Sequence, residues 1–456
     1  MPVEKMHSNN IVDQDKIQFS FVPVVDVTRD NFSTFEPTIR SAIEHCDYIA
    51  IDCELSGLGD RKKLNASSIE ERFTNSSVVA KTRSIIALGL SIFKEEFHQK
   101  DEGQAVTSKK LQVQTYNIVV LCSEDYIVEP GSVKFLVGHG FNFNQQYSEG
   151  VPYYRGNDKE GASEEDDRLR NLFKEIVRNK KKVVFHNGFI DIVFLYQNFY
   201  AQLPQTLQAF LADLCEMFPN GIYDTKYIAD YVCRIPSSFL EFVFKKLLKV
   251  NMQRASKALT HVEIKFPPYP DNYKCVEHIR CTPTQERSID DESQPVCQDF
   301  ANHGNCKNNE CQNSHDVDYI LAVQEDKQQS KKKKKRKNCD KGASNFTEDN
   351  AMQDNVTNGE NNSIKVQSDT NTVAGHRAGM DAFMTGYSYA AFIWHKAKNV
   401  ENDIVIAEEL QDTNIVNNMY LVCKEFPLLI KKSAFAKNSV SHVEKYEMIM
   451  KQSDSQ

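Results

Sequence analysis

An apolar run that ends in two carboxylates constrains this chain more than any other stretch. Tyr48-Ile-Ala-Ile51 reads as a buried strand, and Asp52 and Glu54 follow directly at its end. Residues i and i+2 of an extended chain face the same side, so the two anions stand side by side. At about 4 Å and an effective dielectric near 20 they repel by roughly 4 kcal/mol. A solvated turn relieves that repulsion by exposure, and protonation of one partner relieves it by raising a pKa. A bound cation relieves it by neutralisation, and the other acids of the chain decide among the three.

Apolar periodicity predicts the surrounding elements. Phe19–Val27 reads as a strand, Phe35–Cys46 as a helix, and Ser84–Phe93 and Thr115–Cys122 as strands joined by a polar stretch, an antiparallel start to a mixed sheet. Asp60–Ala80 reads as helix or loop, and the charged, glycine-containing Glu149–Asp167 as a surface loop. Lys182–Phe185 reads as a buried strand running into His186-Asn-Gly188, and the stripe Phe189, Ile192, Val193, Tyr196, Tyr200 makes the next segment a helix. Two further helices are expected over Thr206–Phe218 and Ser238–Val250, with Tyr223–Lys226 between them as a short strand and turn. The predicted fold class is therefore α/β, a mixed sheet flanked by helices.

Two other acids sit at element ends in the same way. Asp191 falls in the first turn of the helix after His186, and Asp381 opens a helix after His376-Arg-Ala-Gly379. Asp52, Glu54, Asp191 and Asp381 together suit two divalent metals about 4 Å apart, the arrangement used for phosphoryl transfer, with hard oxygen ligands. His376 precedes Asp381 by five residues, which on a continuous helix points them apart, so a loop position is expected from which it could act as general base. Taken singly, each acid is equally a surface residue or a helix cap.

A second set is Cys297, Cys306, Cys311 and His315, spaced C-x8-C-x4-C-x3-H. Three thiolates and an imidazole are the ligand set of one structural Zn2+. Phe300 is available for base stacking, but Asn308 and Ser314 are not aromatic and Lys307 is the one fixed cation, so RNA binding, protein contact and a purely structural role all stay open. Cys275, His278 and Cys281 are left unassigned. The third set, Lys331, Lys332, Lys333, Lys334, Lys335, Arg336 and Lys337, stands in a polar stretch nearly free of aromatics. A nuclear-import signal and an RNA phosphate tether both fit it. The net charge of −8 over 456 residues gives no general affinity for nucleic acid, so any such contact is local. The expected organisation is an α/β part at 18–255, an irregular connector at 256–292, a finger at 293–318, a disordered linker at 325–372 holding the basic run 331–337, and a second piece of the α/β part at 373–452. No apolar run approaches the roughly 18 residues of a membrane helix, and no secretory leader is visible, so no membrane partner is expected.

Four motifs in order, Ile51-Asp-Cys-Glu-Leu-Ser-Gly-Leu58, His186-Asn-Gly-x-x-Asp191, Tyr223-Asp-Thr-Lys226 and His376-x-Ala-Gly-x-Asp-Ala-Phe383, resemble the DEDD-type 3′→5′ exoribonucleases. The match is to their deadenylase branch, which includes poly(A)-specific ribonuclease. The resemblance implies an RNase H-like fold interrupted by the CCCH finger and basic linker. It also implies two Mg2+ held by Asp52, Glu54, Asp191 and Asp381, with His376 as general base. Asp224 matches the Tyr-Asp-Thr-Lys motif, yet a strand-terminal aspartate capping the next helix explains it. A finger and basic run inserted before the fourth motif resemble the nuclear, Cajal-body deadenylases. That implies RNA substrates with 3′ adenylated or oligo tails, small nuclear RNAs among them, and as partners an import receptor and snRNP or Cajal-body proteins. The location implied is the nucleus, with nucleoplasm, Cajal bodies, nucleolus and nuclear speckles as its compartments. The rival readings are a non-catalytic, finger-bearing RNA-binding adaptor and a DNA exonuclease of the same fold.

Overall fold

The computed structural model describes residues 19–96, 108–270, 273–281, 295–308, 310–327, 377–395 and 412–451. In chain order these give β1 (Phe21–Val27), α1 (Phe32–His45), β2 (Tyr48–Leu55), α2 (Ile69–Thr82), β3 (Ile85–Glu95) and β4 (Ser108–Cys122). There follow β5 (Val151–Tyr153), α3 (Glu164–Arg178), β6 (Lys182–Phe185), α4 (Phe189–Leu195), α5 (Leu207–Met217) and β7 (Ile222–Asp224). The remainder is α6 (Leu240–Ser256), β8 (His261–Lys265), β9 (Val276–Arg280), α7 (Gln298–His303), α8 (Ala378–Trp394), β10 (Asn418–Met419), β11 (Leu428–Leu429) and α9 (Val440–Lys451).

Strands β7-β6-β2-β3-β4-β1-β9 lie in that order, with β5 and β8 also on β4. The β2-β3-β4 meander is antiparallel, whereas β6 and β7 join it in parallel with β2. Long β4 serves both of its edges. It pairs with β3 along one and with β8, β1 and β5 in succession along the other. This is the mixed α/β sheet flanked by helices that the periodicity predicts.

Residues Ile85–Phe93 of β3 are buried without a break, as a strand covered on both faces must be. The alternation of β2 sorts its side chains between two apolar layers. Ile49, Ile51 and Cys53 enter the layer lined by α1 to α5, while Tyr48 and Ala50 enter the layer lined by α6 and α8. Helix α8 lies across β2, β3 and β4 and against α6, and it is buried from Ala378 to Phe392.

Three stretches differ from the sequence reading. Residues 256–292, expected to be irregular, supply β8 on β4 and β9 on β1. Their strands are short and edge-placed, with partners distant in sequence, so periodicity carries little signal. The expected surface loop Glu149–Asp167 contains buried β5 and the start of α3, whose first turn holds Glu164, Glu165, Asp166 and Asp167 behind the Ser163 cap. Residues 317–327, at the edge of the expected finger and linker, are helical. His376 and the run 331–337 lie outside the described residues. Among those described, no helix is long and apolar enough to cross a membrane.

Candidate metal centre

The acids meet because β2 and α8 share a face. Asp52 and Glu54 continue the side of β2 that carries Tyr48 and Ala50, which is the side α8 covers. Asp381, in the first turn of α8, is 8% exposed. Each of Asp52, Glu54 and Asp381 offers a carboxylate oxygen, and these oxygens all lie within 4.8 Å of one another.

Glycines make that approach possible. Gly89 of β3 stands opposite Asp52 in the antiparallel register, and a Cβ there would lie 1.8 Å from the Ala378 carbonyl oxygen. Gly379 in turn rests on β4 and β1, where a Cβ would lie 2.9 Å from Asn117 Cβ and Val24 Cγ1, and its N–H donates to Asn117 Oδ1 at 3.3 Å. The sequence reading did not single out Gly89. A glycine inside an apolar strand is the available signal, since it marks close backbone approach.

Asp191 joins the group from the neighbouring strand, following β6 in the first turn of α4. It lies outside the trio that meets within 4.8 Å, yet its charge is felt by Asp52. Burial chiefly, then the charges of Asp381, Asp191 and Glu54, push the Asp52 carboxyl well above the usual carboxylate range. Burial and then Asp224 raise Asp191 to about 7, against the lowering effect of its own and the Cys53 backbone N–H groups. Anions forced together where protonation becomes favourable are what a cation of charge +2 would relieve. The donor set is all carboxylate oxygen, which fits Mg2+ or Mn2+ in preference to softer metals.

Asp224 does something else. It is fully buried at the end of β7 and accepts backbone N–H groups from Lys226 at 2.9 Å, Tyr227 at 3.3 Å, Asn187 at 2.9 Å, Gly188 at 3.3 Å and Tyr420 at 3.0 Å. The carboxylate caps the turn that follows it and clamps the loop that leads to Asp191. His186 in that loop is held between Thr225 Oγ1 at 2.9 Å and the Ser238 carbonyl at 3.0 Å. Burial, then Lys226, push its pKa well down, so it sits neutral in a structural role.

Cys297, Cys306, Cys311 and His315 also converge, with ligand atoms within 4.8 Å of one another. Tetrahedral bonds of about 2.0–2.3 Å place ligands at such separations, and the donor set fits Zn2+. A bridge between Val296 and Ser314 closes the small fold. Cys275, His278 and Cys281, by contrast, flank or lie on β9 and form no such group among the described residues. The finger is docked. Gly304 packs on the Phe239 ring, and the Ser237 hydroxyl donates to the Ala301 carbonyl. Lys245 of α6 donates to Asp318 at 2.6 Å. Phe300 stacks on His315 at 4.7 Å and meets Phe239 edge-on at 5.7 Å.

The family described as CAF1 family ribonuclease matches residues 27–169 and 159–389. Poly(A)-specific ribonuclease PARN of Homo sapiens is 26% identical over 160 residues, 32% of this chain and 24% of that protein. The PARN of Xenopus laevis is 24% identical over 164 residues, 33% of this chain and 24% of that protein. The chain thus spans about a quarter of the length of these relatives. Pre-piRNA 3′-exonuclease trimmer of Bombyx mori is 19% identical over 311 residues, 45% of this chain and 58% of that protein. Among solved structures, S. pombe Pop2p in its Mg2+- and Mn2+-bound form aligns with a TM-score of 0.37 at 20% identity, over 50% of this chain and 82% of that one.

Proposed function

The chain belongs to the CAF1 ribonuclease family, and we propose that it is a divalent-cation-dependent 3′→5′ exoribonuclease that removes oligo(A) or other short 3′ tails. The observation that carries this is the meeting of Asp381 with Asp52 and Glu54 in one face-sharing cluster. A binding module has no use for three carboxylates brought within 4.8 Å of one another.

Asp52, Glu54, Asp191 and Asp381 would hold two Mg2+. When bound, the ions supply charge stabilisation at the scissile phosphate and an activated nucleophile. The protein's own part is to fix those ligands, with α8 pinned on Gly89 and the Asp191 loop clamped by Asp224. His376, one residue before the described Arg377, is the proposed acceptor of the attacking water's proton. Gly57 and Gly59, next to the acids, shape the loop and do not open it: Gly57 is packed on the Glu129 side chain, and Gly59 takes a positive φ of 76° beside Val79.

The substrates proposed are nuclear RNAs with adenylated or oligo tails, small nuclear and related non-coding RNAs in particular. The support is the inserted CCCH finger followed by the basic run, the arrangement of the target-of-Egr type of deadenylase. The same arrangement supports a nuclear location that includes Cajal bodies, an import receptor reading 331–337, and snRNP or Cajal-body proteins as partners. Phe300, the finger's aromatic candidate for stacking, is engaged with His315 and Phe239, which favours a structural, docked finger over an RNA-grasping one.

Incubating the purified protein with 3′-tailed RNA and DNA oligonucleotides, in Mg2+ or EDTA, tests the reading. Stepwise Mg2+-dependent shortening of RNA, abolished by Asp52→Asn, is expected. No shortening of either oligonucleotide would leave the adaptor reading, and shortening of DNA alone would leave the DNA exonuclease.

A further inference from the structure

The loop that leaves the metal acids runs straight into three cations. Ser56–Asp60 leads to a single helical turn, Arg61–Leu64, whose Arg61, Lys62 and Lys63 are all exposed. Among the described residues none of the three is ion-paired, although the chain carries 63 acids against 55 lysines and arginines. Other surface cations do find acids: Arg40 meets Glu36 at 2.8 Å, Lys249 meets Glu325 at 2.6 Å and Lys265 meets Glu96 at 3.0 Å. Lys180 and Lys181 are unpaired too among the described residues, so what sets Arg61, Lys62 and Lys63 apart is their place, three adjacent exposed cations on the loop that leaves the metal acids, where a polyanion entering the site would meet them.

Their backbone is held firmly. The Asp60 carboxylate accepts from the Lys62 N–H at 2.8 Å, and Asn75 donates to the Lys63 carbonyl at 2.9 Å. Buried Arg72 binds the carbonyls of Ala66 at 2.6 Å, Asn65 at 3.2 Å and Val422 at 2.7 Å. On the upstream side Glu129 accepts from Gly59 N–H at 2.8 Å and Leu58 N–H at 3.2 Å while paired with Arg83 at 2.7 Å. The loop is therefore a rigid spacer. Arg61 follows Glu54 by seven residues, which bounds its distance from the metal acids at about 25 Å.

We propose that Arg61, Lys62 and Lys63 form a phosphate rail for single-stranded RNA, gripping the strand upstream of the 3′ nucleotide held at the metal centre. The proposal rests on the exoribonuclease reading for the polarity of the strand. Contacts of this kind carry no base information, so the rail would strengthen binding of any tail sequence alike. A single strand contributes a slope of about −0.7 in log K against log salt for each phosphate neutralised. Three cations therefore account for a slope of about −2. Between about 50 and 200 mM KCl the intact protein should lose roughly 16-fold more affinity than a protein without the rail.

The test uses the full chain with Asp52→Asn added, so that RNA binds in Mg2+ without being shortened and the finger keeps its metal. Anisotropy of a labelled 3′-oligo(A) RNA, titrated across KCl, compares it with the same chain carrying Arg61→Ser, Lys62→Ser and Lys63→Ser. A control carries Lys180→Asn and Lys181→Ser, just before Lys182, which pairs with Tyr48 at the opposite end of β2. Asparagine suits the positive φ of Lys180. The slope is expected to become shallower by about 2 in the rail variant and to stay unchanged in the control, with tail sequence making no difference. An unchanged slope, an equal change in the control, or no RNA binding by the parent overturns the rail. Wild-type protein that fails to shorten RNA while the rail variant still loses its slope overturns the exoribonuclease reading alone.

Discussion

Gly89→Ala is the sharpest test of how the metal centre is assembled. The added Cβ would lie 1.8 Å from the Ala378 carbonyl oxygen, 2.1 Å from its carbon and 2.7 Å from Gly379 N, where ordinary contact begins at 3.4 Å. The first contact must open by 3.4 − 1.8 = 1.6 Å, and both partners are backbone, so no side chain can swing aside. Either β3 sinks or the start of α8 lifts, and Asp381 lies three residues along that helix. Displacement of a catalytic group by about 1 Å can cost on the order of 100-fold in rate. Overpacking of this kind costs about 1–3 kcal/mol in stability, a few degrees in Tm for a domain of this size. The expected result is a loss of at least about 100-fold in kcat/KM for the proposed Mg2+-dependent tail removal by a protein that still melts cooperatively. Gly379→Ala, with contacts at 2.9 Å to side-chain carbons, should lose less. Wild-type turnover in Gly89→Ala, or a loss matched by the fraction unfolded at the assay temperature, would refute the mechanism of approach.

Three other outcomes follow from the same structure. Cys306→Ser removes one of four converging ligands and should drop bound zinc below one equivalent by elemental analysis; retained stoichiometric zinc would contradict the ligand set. Asp224→Asn keeps one accepting oxygen but turns an amide toward backbone donors, since the second oxygen accepts from Gly188 and Tyr420. It should lose about 1.5–3 kcal/mol, and unchanged urea unfolding would count against the clamp. Buried His395 donates from Nε2 to Asn251 Oδ1 at 2.7 Å, and burial, then the charge of Arg254, hold its pKa at about 3. The unfolded chain takes up that proton below its ordinary value near 6.5 while the folded chain does not until about 3. Stability should therefore rise with pH across that window and level off above it. At pH 5 the deficit is about 2 kcal/mol, and His395→Gln should flatten this part of the profile; an identical pH slope in both proteins would exclude the group.

The elements that hold the acids were legible because each acid ends or begins a strongly apolar segment. Asp52 and Glu54 close β2, Asp191 opens α4 and Asp381 opens α8, so local pattern placed each acid at its element end, while singling out the four took the order of the motifs as well. Which of them meet was not legible, because it depends on the layer that α8 covers, and alternation in β2 does not name its partner. The close approach at Gly89 is a property of two backbones 289 positions apart (378 − 89). Strands β8 and β9 escaped notice because edge pairing with β4 and β1 decides them more than their own composition. The part played by Phe300 was hidden for a similar reason. Nothing local says that an aromatic beside a cysteine faces Phe239 in place of solvent.

The discontinuity of the site is less demanding than its sequence suggests. Arg280 at the end of β9 and Arg377 before α8 are separated by 96 residues in the sequence (281 to 376). Closure entropy grows only as the logarithm of length, so a loop of about 100 residues costs roughly 2 kcal/mol more to close than one of about 10. What the site requires is a fixed point of return. Arg377 provides it by pairing with Asp26 of β1 and Glu277 of β9, the strand from which the chain departs. Asn117 of β4 binds the same Asp26 at 2.9 Å and receives Gly379 N–H. The start of α8 is thus set by three strands before its first turn is complete, and Asp381 follows Arg377 by one helical turn, its N–H donating to the Arg377 carbonyl at 2.9 Å. The length of the excursion and the finger it carries can then vary without moving the fourth acid, because the position of Asp381 is fixed by where the chain returns and not by the path it takes.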